Sequence, residues 1–221
     1  GGADGPGYVS TEETFATDAG RDLFFTGMTQ AQAIELLDME YEQLPSVEDR
    51  YIAVERLKFF EDLDSTQALL RCITEMEVLT LQCKIARRKA VEVLGRYKGK
   101  YLRDEVVAAI RKLLNDEDQY TVEVAVWALG EIGLHRPKEE SLMAEIAKVL
   151  DREDVTPRVV IRVLLEMDYT PAMDAIRPFA ESQDGATASA AMTALARLAN
   201  DSSAMENVVS ILKSDVLDAR R

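Results

Sequence analysis

VAVWALGEIG, residues 124–133, is an almost unbroken apolar run closed by Gly130 and Gly133, and it follows the acidic turn Asn115-Asp116-Glu117-Asp118. It lacks the alternation of a half-buried strand and reads as a helix. Setting its Leu129 beside Leu57, Leu94, Leu164 and Leu195 aligns WALGE with ERLKF, EVLGR, VLLEM and TALAR. The intervals are 37, 35, 35 and 31 residues. In each copy the apolar helix is followed by a turn and a second, amphipathic helix. That period, carried by paired helices, predicts an all-α solenoid.

The spacing predicts first helices at 48–60, 84–97, 120–133, 157–168 and 186–199. Second helices are expected at 65–80, 102–114, 138–150, 171–182 and 203–213. Alanines 86, 90, 125, 128, 190, 191 and 194 in the first helices allow the close approach that stacking requires. Acids in Asn115–Asp118 and Asp151–Asp154 favour the start of the helix that follows, and Pro137, Pro157 and Pro171 stand where a missing N–H costs least. Gly95, Gly99, Gly130 and Gly133 close first helices. Thr29 and Gln32 form a capping box for one further helix, which Pro45 ends. The expected organisation is a flexible leader over 1–20, an N-terminal capping helix within 21–46, and a repeat domain of about five helix pairs over 47–221. The chain starts GGADGPG without an initiator Met and reads as a fragment or a processed form.

Apolar residues make up 47% of the 221 and charged residues 30%, enough apolar surface for a core. The formal net charge of −14 repels phosphate backbones and anionic membrane surfaces, so nucleic acid is not the expected partner. No apolar run approaches the roughly 18 residues needed to span a bilayer. Cys72 and Cys83 have no metal or redox spacing and read as free thiols in a reducing compartment. His135, the lone histidine, sits in the turn GLHRP without a second ligand, so neither a metal site nor a triad is expected. Trp127 is expected in the core with Val124 and Ala128. Paired acids such as Glu139-Glu140 fall in turns and helix starts, where capping explains them. No catalytic residue is assigned, and an enzyme is not expected.

VAVWALGEIG after NDED, with VVAAIRKLLNDED (106–118) as the preceding second helix, resembles the HEAT-type repeat in the short form of phycobilisome lyase proteins. KAVEVLGRY (89–97) is a second copy; VIRVLLEMD (160–168) and AMTALARLA (191–199) are degenerate ones. The resemblance covers about residues 47–213. It implies a HEAT/armadillo-like superhelix, and a location in a plastid stroma or a cyanobacterial cytoplasm. HEAT-like arrays often pair an Arg of one first helix with an Asp of the next repeat. At that position stand Arg88 and Arg158, but Glu123 and Ser189 in other copies, so a continuous ladder is not expected; Arg158 is expected to pair with Asp154.

Aligning second helices on Ile110, Ile146 and Ile176 sets Arg111 and Arg177 at one position and Lys112 and Lys148 at the next, with Arg71 extending the row. These five cations are the expected partner-binding residues, on a concave face. The expected function is a non-enzymatic scaffold or assembly factor for a protein partner, without a cofactor. The alternative, implied by the resemblance, is a phycobilin lyase-like or chaperone-like subunit handling a linear tetrapyrrole and its acceptor protein.

Overall fold

A computed structural model describes residues 27–98, 101–134 and 139–200. The expected leader, the turn His135 and the last second helix at 203–213 lie outside them. The described residues form helices and turns, with no strand. The fold is an all-α solenoid. Contacts divide the chain into two compact units, Gly1–Ile132 and Gly133–Arg221.

In the first unit the helices alternate between two layers. α1 (Gln30–Asp38), α3 (Leu63–Thr74) and α5 (Arg103–Lys112) form one layer. α2 (Asp49–Leu57), α4 (Leu81–Arg96) and α6 (Gln119–Gly133, its final glycine past the unit boundary) form the other. α1 packs on both α2 and α3, so it supplies the capping surface that the first pair lacks. Its start is the expected capping box: Thr29 Oγ1 accepts from the Gln32 N–H at 3.2 Å, and Gln32 Oε1 accepts from the Thr29 N–H at 2.9 Å. Asp62 caps α3 by accepting from the Ser65 N–H at 2.9 Å. Gln30 Nε2 donates to the same carboxylate, which ties the two helix starts together.

Ile52, Leu57, Leu69, Ile110 and Leu129 are fully buried between the layers. α4 and α6 approach closely at Gly95 of α4, where a Cβ would lie 2.8 Å from Ala128 Cβ and 2.9 Å from Trp127 Cζ3. Gly95 is therefore a packing glycine. Trp127 itself is only half-buried, contrary to expectation. The Arg96 guanidinium lies 5.3 Å from its ring centroid and takes the place of a core neighbour.

In the second unit, α7 (Glu140–Lys148) packs on α8 (Pro157–Glu166), which begins with its proline at the first turn. Two second helices, α5 and α7, finish in the same way, in 3₁₀ turns at Leu113–Asn115 and Val149–Asp151. The second helix expected over 171–182 is instead a four-residue α9 (Met173–Ile176) between 3₁₀ turns. Pro178 removes a donor there and stops the α-helix. The last helix among the described residues, α10, occupies 185–200.

The buried residues of α10 are Thr187, Ala191, Ala194 and Leu198, while Leu195 is half-buried. The fifth copy is thus out of register with the leucine alignment. In an alanine-rich helix the stripe of Ala191, Ala194 and Leu198 decides which face turns inward.

Candidate functional site

Short connections leave one open cleft at the start of the first unit. α1 ends at Asp38 and the chain runs extended through Met39 and Glu40 into a 3₁₀ turn, Tyr41–Gln43. Opposite stand Arg71 on α3 and the connection bearing Glu75, Met76, Glu77 and Leu79. With Arg50 of α2 these enclose about 900 Å³ open to solvent. Arg71 reaches across and donates two bonds of 3.0 Å to the Asp38 carboxylate. That bidentate bond raises the Arg71 pKa above the usual arginine value. Both side chains are more than a third exposed, so the pair adds little stability.

Arg50 is only 6% exposed. One Nη donates to the Met39 carbonyl and the other lies 3.9 Å from Cys83 Sγ, while the guanidinium carbon is 6.0 Å from the Tyr41 ring centroid. Its buried Nε–H has no acceptor. The two cysteines are free and buried, as expected, but they differ. Burial pushes the Cys72 thiol up to about 12. Burial also pushes Cys83 upward, but hydrogen bonds from Thr80 and nearby amides, with the Arg50 charge, hold it below its ordinary value.

The other expected contact residues lie on separate elements. Arg111 and Lys112 end α5, Lys112 being exposed; Lys148 ends α7 and is exposed; Arg177 is exposed and donates to Asp174 at 2.6 Å. Only Arg71 lines the cleft.

Three inter-repeat ion pairs were not anticipated. Arg88 of α4 donates to both oxygens of Asp118 at 2.7 and 2.9 Å, and Arg87 donates to Asp116 at 2.9 Å. Lys89 pairs with Glu55 of α2 at 2.6 Å. Asp118 also accepts from the Thr121 N–H and hydroxyl at 3.1 and 2.6 Å, so one carboxylate caps α6 and joins two repeats. Burial raises its pKa, but the Arg88 and Thr121 hydrogen bonds outweigh burial and hold it at about 2. Asp184 repeats the cap on Thr187, and the Arg158 charge helps its Thr187 bond hold it below the usual range. Asp154, the expected partner of Arg158, pairs with Arg152 instead. The spacing from Asp118 to Thr121 and from Asp184 to Thr187 is the signal that was available for these caps.

Among the described residues no group of three or more His, Cys, Asp or Glu is placed to hold a metal. No described helix is long and apolar enough to cross a membrane.

Residues 76–148 match a family model described as HEAT repeats. The chain is 40% identical over 197 residues to the uncharacterized phycocyanin operon protein Y of Pseudanabaena tenuis (strain PCC 7409), covering 89% of this chain and 45% of the relative. It is 29% identical over 153 residues to the bilin biosynthesis protein CpeY of Synechococcus sp. (strain WH8020), covering 69% and 35%. The chain therefore spans less than half the length of these curated relatives. Among solved structures it is similar to the complex of CpcE and CpcF of phycocyanin lyase from Nostoc sp. PCC7120, with TM-score 0.62, 22% identity, and 84% and 71% covered. An engineered protein matches at TM-score 0.56 and 14% identity, with 86% and 87% covered.

The expectation of a non-enzymatic chain is contradicted by the likeness to a bilin biosynthesis protein and to the complex of CpcE and CpcF of phycocyanin lyase, and these comparisons do not support a plain scaffold. No catalytic motif stands out within the single helices, so the sequence by itself points away from an enzyme. The repeats, the fold and the relatives agree: the chain is an all-α solenoid that carries HEAT repeats and is similar along most of its length to a phycocyanin operon protein.

Proposed function

We propose that this chain is part of a phycobilin lyase-type protein, which handles a linear tetrapyrrole and the acceptor protein that receives it. The observation that carries this reading is the 40% identity across 89% of the chain to a phycocyanin operon protein. The name of the second relative, a bilin biosynthesis protein, supports the tetrapyrrole. The cyanobacterial origin of both relatives supports a cyanobacterial cytoplasm as the location.

A stacked-helix array suits this task for a physical reason. Transfer of a pigment to a protein needs two large, unlike partners held together, and a solenoid offers an extended surface on which separate turns and helix faces engage each. Holding both converts a bimolecular encounter into a unimolecular one, a gain that requires no nucleophile from the array itself. We assign contact with carboxylates of a partner to Arg111, Lys112 and Lys148, on the last turns of α5 and α7. Protein partners are implied in the same way by a neighbour solved as a complex of two subunits.

The test is a titration of the full-length protein containing this chain with a free linear tetrapyrrole, read by visible absorption. A saturable shift of the pigment band is expected. A spectrum that stays the sum of its components would overturn the reading.

A further inference from the structure

The cleft at the start of the first unit has the wrong sign for the pigment's carboxylates. Its rim carries Asp38, Glu40, Glu42, Glu75 and Glu77 against Arg50 and Arg71. Asp38 and Arg71 neutralise each other. That leaves four exposed carboxylates facing one buried guanidinium. We propose that this cleft docks an extended segment of a partner protein in which basic and apolar side chains alternate.

Two observations fit that chemistry together. The exposed acids Glu40, Glu42, Glu75 and Glu77 stand on both sides of the cleft and complement Lys or Arg side chains. Between them Met39, Met76 and Leu79 offer an apolar wall, and thioether side chains adapt to varied shapes. Alternation of side chains along an extended segment turns its apolar residues towards Met39, Met76 and Leu79 and leaves its long basic side chains to reach the acids on either rim. This docking stands apart from pigment handling: a protein that binds no tetrapyrrole would still show it.

The experiment uses the intact chain and a fluorescein-labelled octapeptide alternating Lys and Leu, followed by fluorescence anisotropy. Saturable binding is expected, and the matching Glu-Leu peptide should not bind. The double change Glu75→Lys with Glu77→Lys should weaken binding at least about tenfold, and Glu40→Lys with Glu42→Lys should do the same from the other wall. The double change Asp151→Lys with Glu153→Lys alters net charge equally but lies in the second unit, and should change affinity less than about twofold. Hydrogen exchange should slow over residues 39–42 and 75–79 when the peptide is bound. Absence of saturable binding, equal weakening by the second-unit change, or protection confined to other residues would overturn the proposal.

Discussion

Two residues carry more of the array than their size suggests. At Gly95, helix propensity favours alanine by about 1 kcal/mol, whereas the new methyl would meet Ala128 Cα at 3.0 Å, a backbone atom that cannot step aside. Overpacking of this kind costs roughly 1–3 kcal/mol, so Gly95→Ala should lower stability in a urea melt rather than raise it. Asp118 is the second. Its folded pKa of about 2 lies below the ordinary carboxylate value, so its contribution is fully present above about pH 4. That contribution, about 2 kcal/mol, is lost as pH falls from about 4 towards 2. Asp118→Asn should flatten this acid limb of the stability curve, which a pH series of melts would show. Neither residue was legible in sequence. Gly95 looked like a helix terminator, and Asp118 like one acid among several in a turn. Its partner Arg88 lies 30 residues away, a distance that a broken arginine pattern at Glu123 and Ser189 made unpromising.

At the scale of the element, the helix pairs were legible because apolar period, caps and prolines all act locally and agree. The starts of α1, α8 and α10 fall within a residue or two of their predicted places. Part of what failed depends on a neighbour in space: Arg96 covered Trp127, and Ala194 rather than Leu195 took the inward position of α10. Pro178, which shortened α9, is a local signal that the apolar period outweighed in the reading. The end of α8 shows a local device that the sequence did disguise. Tyr169 N–H bonds the Leu164 carbonyl and Asp168 N–H bonds that of Leu165, a Schellman closure with Asp168 at φ 52° in place of the usual glycine. Asp168→Gly should therefore stabilise the chain by about 0.5–1 kcal/mol, measured by thermal melting. Leu129→Ala, at the centre of α6, should cost roughly 2–5 kcal/mol and lower the urea midpoint.

At the scale of the whole molecule, sequence conveyed the repeat class and, through the resemblance, the lyase-like alternative, but it ranked a plain scaffold first. An array's function is distributed over turns and faces that meet only after stacking, so no short motif announces it. The five cations illustrate this. Alignment grouped Arg71 with Arg111, yet Arg71 belongs to an acidic cleft and is already bonded to Asp38. The most direct test of the lyase-type reading is covalent pigment attachment, with the full-length protein containing this chain incubated with a linear tetrapyrrole and an apo-phycobiliprotein acceptor. Denaturing electrophoresis with zinc-enhanced fluorescence then reports pigment bound to the acceptor. The account predicts a fluorescent acceptor band that grows with time and depends on this protein; the same yield of attached pigment without it would contradict the account.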